Sequence, residues 1–295
     1  MKQKALAAVF TGNLIFGFSF IFSKLALAIT TPFVLLAYRF IIAVVLLSLI
    51  LLTGKIKVSF RGKNLKSVML LGILQPVLYF VGENYGIVYS NATFSAVMIA
   101  LIPICSTIFA AIFLRERATA LQWFFSIASI IGVITMATQN SGEGGVKLIG
   151  VLLLILAVVS ESWYMFLGRK ISNEFSAFER TYSMMICGAI TFTILALFEN
   201  HSNMYALIEP ISNPIFIICI LYLAVLSSVV AFLFLNFATT HLEVARTVSF
   251  ANITTVVSVF AGVIFLKEPC TPTSIVASIV IIVGVWGVQR FAGKQ

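Results

Sequence analysis

Four ionisable side chains stand inside long apolar runs of this sequence: Lys24, Arg39, Glu83 and Glu161. A charge in hydrocarbon is costly, so each is by default a candidate for binding a solute or handling a proton. Their depths follow from the helical rise. Lys24, Arg39 and Glu83 fall about 6, 10 and 8 Å from the outer ends of their runs, at about 1.5 Å per residue. They form an outer layer. Glu161 falls about 20 Å from the outer end of its run, with Asn13 and Gln75 at a similar depth. Asn252 lies about 13 Å from the inner end of its run and completes a second layer, inward of the midplane.

Helical spacing gathers these residues on faces. Asn13, Gly17, Phe20 and Lys24 share one stripe, and so do Gln75, Tyr79, Gly82, Glu83 and Gly86. Ala157, Glu161, Tyr164 and Gly168 form a third. Each stripe mixes polar, aromatic and small residues. Polar groups need an interior face, small residues permit close helix approach, and aromatics can border a solute or stack on a cation.

Each candidate has a plainer reading. Lys24 can snorkel outward. Arg39 and Glu83 can tie the second and third helices as a salt bridge. Asn13, Gln75 and Asn252 can be ordinary interhelical hydrogen bonds. Glu161 is too deep to snorkel, and no basic residue of another run shares its layer. It is either protonated or compensated by Asn13 or Gln75 and water. Glu116 and Glu268 read as helix-end anchors beside Arg115, Arg117 and Lys267. The basic stretch from Lys55 to Lys66 reads as a topology signal and an anionic-lipid contact, not as a nucleic-acid site. The cysteines Cys105, Cys187, Cys219 and Cys270 form no C-x-x-C pair, so neither a metal nor a cofactor is expected.

The elements that carry these residues are set by composition. Of 295 residues, 61% are hydrophobic and 10% charged, against about 25% charged in a soluble domain. That excludes a cytosolic globule and a disordered chain. Ten apolar runs can be placed, at 5–28, 32–53, 67–88, 93–114, 119–137, 148–168, 178–198, 213–238, 244–266 and 273–291. Each is close to the roughly 20 residues that span a bilayer. The first is expected to be a retained span, because no small-x-small cleavage site follows it and Lys24 interrupts the region.

The net charge of +9 is a sidedness signal. With a cytoplasmic N-terminus, fifteen of the 19 Lys and Arg fall in inner segments and two, Lys147 and Lys267, in outer ones. This asymmetry supports ten spans with both termini cytoplasmic, in the cell membrane.

The chain also repeats itself. Residues 84–137 align without gaps on 236–289, an offset of 152. Asn84 meets Asn236, Ser106 meets Ser258 and Gly132 meets Gly284. Phe113-Leu114-Arg115-Glu116 meets Phe265-Leu266-Lys267-Glu268. A weaker match at offset 145 pairs Lys24 with Arg169 and Phe33 with Phe178. The expected organisation is a first unit at 1–137, an outer linker at 138–147 and a second unit at 148–295. Five spans per unit force opposite orientations, which suits a midplane site and alternating access.

These motifs resemble the EamA family of the drug/metabolite transporter superfamily over nearly the whole chain. The resemblance rests on Pro103, on Phe113-Leu114-Arg115-Glu116 with Gln122 and Gly132, on the repeat of that series at Leu266-Lys267-Glu268 and Gly284-Val285, and on Arg39-Phe40. Thr255 and Ser274 depart from the second-half pattern of proline and glutamine. The resemblance implies an all-α membrane protein of ten helices in two inverted five-helix repeats, commonly an exporter of metabolites.

The functional expectation is a secondary transporter, not an enzyme. No Walker A sequence is present, and with two histidines, His201 and His241, and no Asp, a membrane-embedded catalytic site is poorly supplied. Lys24 and Arg39 against Glu83 and Glu161 balance, which suits a zwitterion such as an amino acid. Export of an amino-acid-like or amphipathic compound leads. Organic-cation efflux or metabolite uptake is the alternative, and a channel is a different class without visible filter loops or charged rings. Protons are the candidate coupling ion, and the assembly is expected to be a monomer or homodimer.

Overall fold

A computed structural model describes residues 1–54, 56, 58–113, 119–139, 146–242, 247, 250–267 and 271–291. Leu114, Arg115, Glu116, Arg117 and Glu268 lie outside the described residues, as does the side chain of Asn252. The described residues are helical: α1 Lys2–Leu27, α2 Pro32–Leu52, α3 Leu65–Val88, α4 Ala92–Ile99, α5 Ile102–Phe113, α6 Ala120–Gln139, α7 Leu148–Lys170, α8 Ala177–Glu199, α9 Pro214–His241, α10 Ala251–Phe265 and α11 Pro272–Arg290. Among them α1, α2, α3, α7, α8 and α9 are long and apolar enough to cross a membrane. In hydrocarbon each span must satisfy its own backbone, which is why apolar runs without internal competition become helices.

Helix starts follow local chemistry. Pro214 opens α9 where Asn213 accepts from the Ile215 amide at 2.9 Å. Asn91 caps α4 through the Phe94 amide at 2.7 Å. Ser176 and Glu179 form a capping box on α8. Glu179 also accepts from Lys63 Nζ at 2.7 Å and from the Ser59 amide at 2.9 Å. Glu174 accepts from the Asn64 amide. Of the basic stretch before α3, read as a topology signal and an anionic-lipid contact, Lys63 is committed to the protein, because the N-terminal turn of α8 presents a carboxylate to it. Lys55 and Lys57 lie outside the described residues.

Two expected runs are interrupted. The run expected at 93–114 is two helices, with a turn at Ala100 and Leu101 between α4 and α5. Pro103 sits in the first turn of α5 and supplies no amide to the preceding turn. Helix α3 breaks at Gln75 (φ −139°, ψ 110°) within a wide-turn stretch, Ile73–Leu78. Helix α9 holds its own wide-turn stretch, Tyr222–Ala231. The offset of 152 places Gln75 opposite Ser227, so both halves widen the same helix at the same point.

The packing is symmetric between halves. Helix α6 lies along α11, and α2 along α8. Helix α3 packs on α7 as α9 packs on α1, and α1 packs on α10 as α7 packs on α4 and α5. The paired glycines meet across α6 and α11: a Cβ on Gly132 would fall 2.7 Å from Ile281, and one on Gly284 would fall 2.0 Å from Ser129 Oγ. Ile281 and Ser129 are themselves partners at the same offset. Where α3 crosses α7, a Cβ on Gly82 would fall 2.4 Å from the Leu153 carbonyl. Phe40, Phe80, Phe232 and Phe16 form a chain of ring contacts at 5.1 to 6.3 Å inside the bundle.

Candidate functional site

Phe80, Phe232 and Phe16 wall one side of a cavity shared by both halves. From α1 come Asn13, Ser19 and Phe20; from α2, Arg39; from α3, Gln75, Tyr79 and Glu83; from α7, Glu161 and Met165. Leu235 of α9, Thr254 of α10, and Ile99 and Ile102 at the α4–α5 interruption close it. Its volume is about 60 Å³, room for a few water molecules.

Members of both expected layers therefore line one cavity. Gln75, Tyr79 and Glu83 stand one above another on α3, spanning about 12 Å at the helical rise. Their side chains reach far enough to open onto a single space. Arg39 and Glu83 from the expected outer layer thus join Asn13, Gln75 and Glu161 from the inner one.

Arg39 is 1% exposed. Its Nε donates to Ser228 Oγ at 2.7 Å and its Nη2 to Ser227 Oγ at 2.8 Å. The guanidinium carbon sits 4.2 Å from the centre of the Phe80 ring, a cation–π placement. Glu83 Oε1 accepts from Tyr79 Oη at 3.1 Å, one helical turn back. The expected Arg39–Glu83 ion pair is absent: two hydroxyls and an aromatic face occupy the arginine, and Tyr79 and Asn84, on the same helix as Glu83, donate to the two oxygens of the carboxylate.

Glu161 is buried, and its Oε2 has no hydrogen-bond partner among the described residues. Gln75 Oε1 is in the same condition. Of the alternatives for Glu161, compensation by Asn13 is not formed. Asn13 Nδ2 donates to the Val9 carbonyl at 2.7 Å, and its Oδ1 accepts from Thr254 Oγ1 at 3.1 Å. That asparagine is spent on its own helix and on α10.

Two expected residues stand apart from the cavity. Lys24 is half-buried near the end of α1. Tyr164 is not part of the cavity lining; its Oη donates to Asn236 Oδ1 at 3.1 Å. Asn236 Nδ2 in turn donates to Thr181 Oγ1 at 3.0 Å.

Beside that network lies Arg180, which the charge count treats as a loop residue. It is fully buried. Its Nη1 donates to the Gly168 carbonyl at 2.9 Å and to Thr239 Oγ1 at 3.1 Å. Its Nη2 donates to the Asn236 carbonyl and to Thr240 Oγ1, both at 2.6 Å. From the first turn of α8 it therefore binds the C-terminal ends of α7 and α9, where partial negative charge accumulates. Ser227 and Ser228 also escaped the sequence reading. The signal for them was present, as a polar pair in the run at 213–238 opposite Gln75 in the repeat.

Two stretches, residues 3–138 and 148–290, match the EamA-like transporter family. The uncharacterized transporter YcxC of Bacillus subtilis is 32% identical over 289 residues, covering 97% of this chain and 93% of its own. A Streptantibioticus cattleyicolor protein named "Probable terminal-alkyne amino-acid exporter" is 24% identical over 230 residues, 78% of this chain and 75% of its own. A crystal structure at 17% identity has the same fold, with a TM-score of 0.69 over 99% of this chain and 100% of that one. Matched across both halves, and built from apolar helices around a cavity that holds buried ionisable groups, this multi-pass membrane protein belongs to the EamA-like transporter family.

Proposed function

We propose that the chain is a secondary transporter that exports a small amino-acid-like metabolite by alternating access. One observation carries the substrate class: the cavity holds a guanidinium and two carboxylates, Glu83 and Glu161, that are not paired with one another. A zwitterion brings the complementary charge for both signs. The relative named as an amino-acid exporter favours the same class and direction. A second reading, an organic cation, draws on the excess of carboxylates over guanidinium and on the aromatic wall.

Ten spans in two inverted units, 1–137 and 148–295 joined by 138–147, form the proposed frame, with both termini cytoplasmic in the cell membrane. The exchange-symmetric packing of the halves and the one-sided Lys and Arg distribution support it. Rocking one unit against the other would expose the shared cavity to each side in turn, with Glu161 as the proton-carrying group. A reporter fused after Ser59 is expected to read cytoplasmic and one after Ser202 external. Both reading the same side would break the ten-span frame.

Metabolite profiling of cells lacking or overproducing the protein tests the function. An amino acid should rise in the medium on overproduction and inside the cell on deletion, with flux that saturates as a carrier's does. An organic cation moving instead selects the second reading. No change in any small metabolite would sink both.

A further inference from the structure

The arginine of the cavity is held in an unusual way. Two carboxylates line the same space, yet Arg39 is anchored by two neutral hydroxyls from the other half of the chain. Arg180 is also held by neutral acceptors, but it uses both terminal nitrogens on them, whereas Arg39 has one terminal nitrogen without a partner among the described residues, in a cavity that two carboxylates share. Here the wide-turn stretch of α9 brings adjacent serines to two nitrogens of one guanidinium. Wide turns of this kind inside helices are frequent at functional positions. Phe80 covers one face of the group. The third nitrogen, Nη1, makes no hydrogen bond among the described residues, while the side chain lines the cavity.

We propose that Arg39 is the docking point for a carboxylate of the transported molecule, and that Ser227 and Ser228 are positioning residues that hold its guanidinium with Nη1 turned to the cavity. This rests on the transporter reading of the same cavity. The hydroxyls suit the task because they accept from arginine without neutralising it. A carboxylate at Arg39 in place of Ser227 and Ser228 would collapse the charge before a substrate arrived. The incoming carboxylate then gains a charge-assisted bond, stronger than a neutral one. Glu83 is engaged on its own helix, accepting from Tyr79 Oη at Oε1 and from Asn84 Nδ2 at Oε2. Glu161, with an unpartnered oxygen, is left for the opposite end of the ligand. The dock therefore selects for an anionic group, and the acids select for an amine.

The test measures ligand-induced thermal stabilisation of the full-length protein in lipid nanodiscs. The probes are the proteinogenic amino acids, their primary amides, and the matching deaminated acids. At least one amino acid is expected to stabilise the protein at a concentration lower than its amide by about tenfold or more, the worth of one charge-assisted hydrogen bond. Arg39→Gln should bring acid and amide together. The Ser227→Ala, Ser228→Ala double variant keeps the arginine but should narrow the acid-to-amide ratio severalfold, and Ser228→Thr, which retains a hydroxyl, should preserve it. If the double variant does not fold, each single serine variant is read for the same ratio. Serines that served only helix packing would alter stability and leave the ratio untouched, and that result overturns the proposal. Equal affinity for acid and amide in the wild type, or no stabilisation by any acid, also overturns it. Amides binding as well as acids, with export intact in cells, would remove the dock and leave the transporter reading standing. Loss of every export phenotype, with the acid preference present, would strike the transporter reading instead.

Discussion

Glu161→Gln is expected to reduce transport by about a hundredfold or more while folded protein accumulates in the membrane at wild-type levels, the cost of removing one side of a desolvated charge contact of several kcal/mol. The substitution keeps shape and volume. It removes a buried carboxylate whose Oε2 finds no donor among the described residues, a group that is expensive to keep. Thermal stability should therefore hold or rise as activity falls. That opposition separates a functional acid from a structural one, whose loss would lower both. Flux into proteoliposomes at matched protein amounts, with and without a pH gradient, is the measurement. If the residue serves only coupling, the variant should still exchange substrate but ignore the gradient. Unchanged rate and unchanged pH response would reduce Glu161 to a tolerated buried acid and move the search to Arg39 and Glu83.

Arg180→Met is expected to act in the opposite sense, on the fold. Its two terminal nitrogens serve four acceptors, including the carbonyls of Gly168 and Asn236. Methionine fills the space but takes the side-chain donor from the buried Gly168 carbonyl, at about 1–3 kcal/mol. It also removes the charge-assisted bonds to Thr239, Thr240 and the Asn236 carbonyl, which keeps the Thr239 and Thr240 hydroxyls. The loss is a sizeable fraction of the roughly 5–15 kcal/mol that holds most proteins together. Folded yield in detergent should drop sharply and the unfolding midpoint should fall. Arg180→Lys should recover only part of the loss, because an ammonium cannot fork toward acceptors on two helices. Lys63→Met is the control. Its ion pair with Glu179 is 23% exposed on the lysine side, and such pairs contribute about 1 kcal/mol or less. Equal, small effects of the two substitutions would show that the α7–α8–α9 junction does not depend on Arg180.

The two variants mark which candidates were readable in advance. Glu161, Arg39, Glu83, Gln75 and Asn13 were found from the sequence because polar groups in an apolar run are conspicuous, and all five line one cavity. Tyr164 shared the Glu161 stripe and yet faces Asn236. A stripe at one-turn spacing is wide enough to straddle two neighbours, and spacing alone does not say which neighbour each residue meets. Arg180 was misjudged because position near a run's edge suggested water. Its surroundings are the ends of two other helices, which no local pattern reports.

By itself, the sequence determined the helical class, most helix limits, the repeat and the family. These depend on properties each segment carries alone: apolar length, a capping residue, a proline, a motif recurring at a fixed offset. Even the interruption between α4 and α5 has a local cause in Pro103. Only the tertiary structure decided the partners. Arg39 had Glu83 as its obvious match by charge and depth, but it meets Ser227 and Ser228. That choice turns on how α9 of one half lies against α2 of the other, with a wide turn setting the serines' direction. The physical reason is range. Backbone satisfaction in a membrane is closed within a single helix, so it can be read along the chain. Which side chain satisfies a buried charge depends on angstrom-scale packing between helices nearly two hundred residues apart, and it is fixed only when the halves meet.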